Sequence, residues 1–425
     1  MAKRKKIRLN LSSILGMLSN ILHSKEYLER SRKKPTDFTR NRKLSFMHMV
    51  LFMLNMVKTS TQVALDRFFE LLDRANPTQM SQPSFSEARQ KLKPEAIQEL
   101  QERIAAELYQ YGFDTWHGYA VFAIDGSKIQ LPDDEKLRTV FGTAGRGSTA
   151  PTAQASILYD TLNDIVAFAE IEPMTVGERT LAVRHIDKLA GLGLEKSLII
   201  FDRGYPAFDL MQYIDSKGVK YLMRLKTKFN TDIDAMGLGL HDYVLVQKDE
   251  SINIRVIKFP LPGGEIETLV TNLTDGRMGT NAFKNLYFKR WPVETKYGAS
   301  KLKFELENFS GRTEIAIRQD FYVTLTLANV ASVVMNEAQP IIDIEQEEKK
   351  NKYDYQANVN QVVGSLKDRL VCALLEPRPG VMAAKVARIM FLVRRNLTPI
   401  RPNRSVPRNP TPRKARFRFN QKSNC

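Results

Sequence analysis

Histidine, cysteine and long apolar runs are all scarce in this chain of 425 residues. Its two cysteines, Cys372 and Cys425, cannot build a disulfide framework, and they fit a reducing compartment such as the cytoplasm. Five dispersed histidines show no metal-ligand spacing. Any metal would therefore be held by carboxylates, which select a hard ion such as Mg²⁺ or Mn²⁺. The longest apolar runs, such as Leu44–Val57, are near 14 residues and are interrupted by His48 and Asn55. A membrane span needs roughly 20, so no membrane partner is expected. The opening MAKRKKIRLNLSSILGMLSNIL imitates a secretory leader, but Asn10, Ser12, Ser13 and Asn20 break its apolar part and no small-residue cleavage site is convincing. An amphipathic helix explains it better.

Acid is scarce at both ends. Residues 1–50 hold 13 Lys or Arg against 3 Asp or Glu, and residues 376–425 hold 13 against 1. Since the whole chain carries +17, the stretch 51–375 is mildly acidic. Basic arms around a folded body point to a polyanionic partner, most simply nucleic acid.

No internal repeat is present. Apolar positions recur at three and four in Ile14–Ile21, Phe46–Met56, Ala64–Leu72 and Ile97–Leu108, so residues 1–115 read as a helical domain. Between them, NPTQMSQPSFSEARQKLKP offers turn residues, then Ser84 or Ser86 as an N-cap, then a short basic helix with Arg89 and Lys91. Helix, turn, short basic helix is the outline of a helix-turn-helix reader, and it also describes many α-hairpins. Arg40, Arg42, Lys43, Arg89, Lys91 and Lys93 are candidate DNA contacts; solvated helix faces account for them equally well.

From residue 118 the pattern changes. YAVFAIDGSKIQLP reads as a strand that reaches Asp125; AQASILYD and DIVAFAEIEP read as a hairpin turning at Thr161–Asn163. GERTLAVRHIDKLAGLG is a helix closed by Gly191 or Gly193, and Leu198–Phe201 is a buried strand ending at Asp202. KYLMRLK, DYVLVQ, INIRVIKF and IETLVTNL are strands in a β-rich segment, 219–275. Helices follow from about 281 to 340, then a charged linker DIEQEEKKNKYD, then helices at about 357–375 and 380–396. The tail, from about 398, has five prolines and eight basic residues with no acid from Pro399 onward, and reads as disordered until it meets a partner.

Two acids stand at equivalent places, Asp125 after VFAI and Asp202 after LIIF. In a sheet with side-by-side strands such ends approach one another, although an acid there is also a common turn or cap residue. A third acid, Glu294, lies in LYFKRWPVETKYGASKLK. At about 100° per residue, Tyr287, Arg290, Glu294 and Lys301 fall within an arc of roughly 60° on one helical face. A solvated salt-bridge ladder is the plain account of that stripe, and Pro292 inside it either kinks the helix or marks its first turn. Three carboxylates from two strands and a helix have another use: they can hold two divalent ions roughly 3.5–4 Å apart for in-line phosphoryl displacement.

The run Tyr287-x₂-Arg290-x₃-Glu294-x₆-Lys301 matches the Y-x₂-R-x₃-E-x₆-K signature of the insertion-sequence 4 family of DDE transposases, which this sequence resembles. AIDGSKIQLP and IIFDRGYPAFDL are similar to the segments carrying that family's first and second catalytic aspartates, and LVTNL, YLMRLK and FSGRT are also family-like. The likeness covers about residues 80–340. It implies an α/β fold: a ribonuclease H-like mixed sheet flanked by helices, split into 116–218 and 276–345 by the β-rich insertion. The helical region 1–115, a C-terminal helical region, 346–397, and the basic tail, 398–425, flank that core. It implies Asp125, Asp202 and Glu294 as catalytic metal ligands for two Mg²⁺ ions, with Mn²⁺ able to substitute. It implies that Tyr287, Arg290 and Lys301 grip DNA beside the scissile bond. Arg203 and Arg224 are weaker candidates for DNA contact, and salt-bridging to nearby acids suits each as well.

The implied activity is cleavage at the inverted-repeat ends of an insertion sequence and strand transfer into target DNA, by cut-and-paste through a hairpin. A homodimer in the DNA complex and a place at the nucleoid of a bacterial cytoplasm go with it. A ribonuclease H-like nuclease that cuts without joining, or a catalytically silent DNA-binding derivative, are the competing readings. A stacking aromatic could be Trp291, for which core packing is the plainer role, or Phe229, Tyr243 or Phe259 of the insertion.

Overall fold

The computed structural model describes residues 8–40, 43–55, 60–73, 75, 79–145, 147–290, 293, 304–349 and 351–401. Two compact units emerge: residues 1–112, 129–153 and 299–425 form one, and residues 113–128 and 154–298 form the other. The expected boundaries divide the chain differently, since they assign 276–345 to one segment of the core.

In the first unit, helices α1 (Leu11–His23), α2 (Lys25–Ser31), α3 (Phe46–Met53), α4 (Thr61–Leu72), α5 (Gln82–Arg89) and α6 (Pro94–Gln110) account for the apolar periodicity of the N-terminal region. Polar residues cap most of them: Asn10, Ser24, Ser45, Ser60 and Ser81 each accept a backbone N–H of the following first turn. The cap of α5 is thus Ser81 rather than Ser84 or Ser86, because Pro83 suits the first turn.

The second unit is built on β1 (Ala120–Gln130), β2 (Thr152–Asp160), β3 (Ile165–Pro173), α8 (Glu178–Gly191), β4 (Ser197–Phe201), α9 (Phe208–Ser216) and β5 (Lys220–Arg224). The short α7 (Glu135–Phe141) precedes β2. Next come α10 (Thr231–Ala235), β6 (Gly239–Gln247), β7 (Glu250–Pro260), β8 (Ile266–Thr271) and α11 (Thr280–Phe288). All eight strands join one mixed sheet in the order β3-β2-β1-β4-β5-β8-β7-β6. Strands β1, β4 and β5 run parallel, whereas β8 is antiparallel to β5 and β7, and β6 to β7. The β-rich segment therefore extends the same sheet past β5. Parallel pairing explains the composition of SLIIF: every residue of β4 is buried, as expected for a strand covered on both faces.

On one sheet face Val121, Leu198, Ile200 and Leu222 pack with Phe283, Leu286 and Tyr287 of α11. Burying each such side chain contributes about 1.5–3 kcal/mol. That contact fixes α11 against the strands that carry the two aspartates.

Helix α12 (Glu314–Glu347) packs on α6 in the first unit, and its Glu337 accepts the Leu11 N–H at 2.8 Å. It swallows the first residues of the expected charged linker. The expected helix at 357–375 is two, α13 (Val359–Leu366) and α14 (Arg369–Leu374). Asp368 between them has φ 60°, and it exchanges hydrogen bonds with buried Asn55: its N–H donates to Oδ1 at 3.1 Å and its carboxylate accepts from Nδ2 at 3.0 Å. Helix α15 (Pro379–Arg395) is followed by β10 (Leu397–Pro399), which pairs antiparallel with β9 (Tyr355–Ala357); the apolar pattern of these three-residue strands is too short to read. Among the described residues, no helix is long and apolar enough to cross a membrane.

Candidate active site

The register of the parallel strands sets the site. Ala120 is opposite Ser197 and Ala123 opposite Ile200. Asp125 lies two residues beyond Ala123 on β1, and Asp202 directly follows the last residue of β4. Alternation then decides the side. Val121, Ala123 and Asp125 share one face with Leu198 and Ile200; that face is the one on which α11 packs.

Strand β4 ends at Phe201, and the chain turns at once: Tyr205 N–H donates to the Asp202 carbonyl at 3.1 Å, and the Asp202 carboxylate accepts the Arg203 N–H at 2.6 Å. Asp125 retains 22% side-chain exposure. The Asp202 carboxylate is therefore held by backbone, and both acids keep part of their surface open.

Arg290 lies past the end of α11, largely buried, with Nη1 3.9 Å from Asp125 Oδ1. Helix α11 stops at Phe288, and its C-cap is Lys289. The single helix expected across Leu286–Lys303 is thus interrupted: Tyr287 belongs to the last turn of α11, Arg290 follows the cap, and Val293 is helical again. Tyr287 is buried among apolar side chains, and burial first, then the charges of Asp202 and Glu267 against those of Arg290 and Arg224, leaves its phenol pushed up to about 12. Tyr287 and Arg290 are accordingly brought to Asp125 and Asp202. Glu294, Lys301 and Trp291 lie outside the described residues. Among the described residues, no group of three His, Cys, Asp or Glu side chains is arranged to hold a metal.

Arg224 pairs with buried Glu267 on β8. Burial raises the Glu267 carboxyl above its ordinary range, and Arg224 and Arg203 oppose that rise. Arg224 thus takes the salt-bridge role weighed against DNA contact, and Arg203 stays exposed beside Asp202. Sequence reasoning missed Glu267 because an acid in a strand looks like a solvent-facing residue; only pairing with β5 puts it beneath Arg224.

Arg89 is corrected outright. It is 2% exposed and donates to Gln319, Ser310 and Asp320 at 2.9, 2.6 and 2.9 Å, so it cannot reach a base edge. Lys91 is half-buried, Lys43 donates to the Gln79 carbonyl and Lys93 to the Arg30 carbonyl. Arg40 is exposed, and Arg42 lies outside the described residues. Phe259 is buried beneath Lys284 and offers no open face to a base. Tyr243 donates its hydroxyl to Asp232 at 2.8 Å.

The chain is similar to known proteins. A curated relative, "Putative transposase InsZ" of Escherichia coli strain K12, is 24% identical over 176 residues, which are 40% of this chain. The chain spans 58% of that relative's length. Among solved structures, piggyBac transposase in a synaptic complex with hairpin DNA is 9% identical, with a TM-score of 0.45 over 88% of this chain and 85% of that one. The model of the transposase DDE domain matches residues 116–330, which include the strands bearing Asp125 and Asp202 and the segment bearing Arg290. Matched over half its length, this chain belongs to the transposase DDE domain family.

Proposed function

We propose that the protein is a DNA transposase that binds the terminal inverted repeats of an insertion sequence and catalyses DNA cleavage and strand transfer with divalent metal ions. The observation that supports the reading is that Asp125 lies on β1, that Asp202 directly follows its parallel neighbour β4, and that Arg290 approaches Asp125. The order β3-β2-β1-β4-β5, with β1, β4 and β5 parallel, supports a ribonuclease H-like core. The donors fit the implied metal: Asp125 and Asp202 offer accessible carboxylate oxygen, the ligand type of Mg²⁺ and Mn²⁺. Glu294 completes the set in this reading, for two ions per site.

Bound divalent ions polarise the phosphate and favour attack by hydroxide or a 3′-hydroxyl. The chain's own residues do the rest. Arg290, fixed by burial beside Asp125, balances negative charge without reorganising. Tyr287 and Lys301 hold DNA next to the scissile phosphate, Arg203 contacts its backbone, and Lys91 with the basic tail adds sequence-independent grip. Two ends must be held for joining, so a homodimer assembles on DNA in the bacterial cytoplasm, and cut-and-paste proceeds through a hairpin end.

The experiment incubates purified protein with DNA carrying the element's ends and a supercoiled target, with Mg²⁺ or Mn²⁺. Joined products support transposition; cut, unjoined ends point to a nuclease; shifted but intact DNA points to a binding protein. Asp125→Asn should abolish cutting and joining while leaving the DNA shift intact. Normal cleavage by that variant would sink the site assignment.

A further inference from the structure

The eight-stranded sheet ends differently at its two edges. Strand β3, at one edge, is buried from Ile165 to Ala169. Strand β6, at the other, is nine residues long, and among the described residues only β7 lies against it. Proteins protect such an edge with a short strand, a bulge, a proline or a lysine. None of these is present. The β6–β7 register runs unbroken from Gly239 opposite Lys258 to Gln247 opposite Glu250, so no bulge turns the edge aside. The chain holds 64 Lys and Arg, yet β6 has neither, and no proline. Its one formal charge, on Asp242, is paired with Arg255 of β7 at 2.7 Å.

The side chains along this edge are apolar as well. Leu240, Val244 and Val246 are 37%, 51% and 60% exposed. An even number of residues apart, they share one face of the strand. An antiparallel second copy of β6, related by a two-fold axis through Tyr243, would meet this pattern with itself. Leu240 would stand opposite Val246 of the partner subunit, twice over, and Asp242 opposite Val244. An axis through Asp242 would set two carboxylates face to face, and an axis through Val244 would set Leu240 against Lys248. Only the axis at Tyr243 joins Leu240 to Val246 and keeps the acids from direct opposition. Pairing along the whole strand would add about eight to ten backbone hydrogen bonds, two for every second residue pair.

We propose that β6 is the contact through which two copies of this chain pair, edge to edge and antiparallel about Tyr243, joining their sheets into one. This pairing stands apart from the proposed chemistry, since it needs neither DNA nor metal. A two-fold contact uses the same surface patch on both copies, and β6 is such a self-complementary patch. The strand is about 30 Å long. The surface it buries therefore falls at the low end for protein interfaces, below about 1,200 Å², and the pair exchanges with monomer at micromolar concentration.

Sedimentation equilibrium of the full-length protein without DNA, over about 1–100 µM to suit an interface of this size, tests it. A transition from monomer to dimer is expected. Leu240→Lys/Val246→Lys sets like charges directly opposite one another at two places and should weaken pairing by about tenfold or more. The melting temperature of that variant should stay at the wild-type value, because both side chains are exposed. Leu240→Lys/Val246→Glu sets opposite charges there instead and should restore the dimer, a recovery that only the register about Tyr243 gives. A wild-type monomer at every concentration overturns the proposal. So does a dimer that the two lysines leave intact, which would put the contact on another surface, and so does a Leu240→Lys/Val246→Glu variant that pairs no better than Leu240→Lys/Val246→Lys. A monomer whose DNA affinity changes with the two lysines would overturn it too, and would give the edge to nucleic acid.

Discussion

Replacing Arg89 by alanine should unfold the first unit more easily and should leave DNA recognition by the folded protein untouched. The guanidinium is enclosed by α12. Nε donates to Gln319 Oε1, Nη1 to Ser310 Oγ, and Nη2 to Asp320 Oδ1 and, at 3.4 Å, to the Ala316 carbonyl. Gln319 in turn donates to the carbonyls of Arg89 and Leu92, at 3.1 and 2.9 Å, which locks the end of α5. Truncation strands the Asp320 carboxylate, and losing one member of a buried pair costs about 3–5 kcal/mol. Asp320 keeps 18% exposure and still accepts from the Ser310 N–H and hydroxyl, so the lower end, about 3 kcal/mol, applies. For a unit of this size that is a fall of about 6–12 °C in melting temperature. Arg89→Lys should recover part of it, since an ammonium keeps the charge but cannot fork to three acceptors. Circular dichroism melts and a DNA shift assay run well below the melting point read the two quantities separately. A melting temperature equal to wild type together with a large loss of DNA affinity would refute the reasoning and return Arg89 to the surface.

Two further outcomes follow from buried titratable groups. His185 of α8 is fully buried with Nε2 3.1 Å from Ser156 Oγ, and burial, reinforced by Lys188 and Arg184, lowers its pKa from 6.5 to about 3. Below pH 6.5 the unfolded chain takes up a proton that the folded one refuses, so stability falls with pH through the window from 6.5 to about 3. By pH 5 the loss is about 2 kcal/mol, measurable by urea unfolding; a His185→Gln variant that retained the same acid slope would contradict it. Arg224→Met strands the Glu267 carboxylate, whose pKa burial already raises. A raised carboxyl destabilises once pH climbs through its folded pKa, so the penalty should be greater at pH 8 than at pH 5. Equal penalties at both pH values would show that Glu267 has another partner.

Sequence alone determined the elements whose apolar period is strong and local. The N-terminal helices follow from three-and-four spacing and polar caps, and β4 from an unbroken apolar run. Gly193, at φ 68°, closes α8 where its sequence predicts. The order of Asp125, Asp202 and the Tyr287–Arg290 segment along the chain was equally legible, because short motifs survive as local chemistry. Tertiary structure decided what depends on partners far away in sequence. Arg89 reads as a surface base contact until α12, more than 200 residues later, supplies its acceptors. Asp368 divides a continuous apolar helix pattern because Asn55 bonds to it. Glu178 is an ordinary first-turn helix acid, and only folding sets it over Gly126 of β1. Periodicity records which side of a segment meets the core; it carries no address for the residue on the other side. Charge pairing, strand register and close backbone approach are properties of two segments at once, so they appear only when the chain has folded.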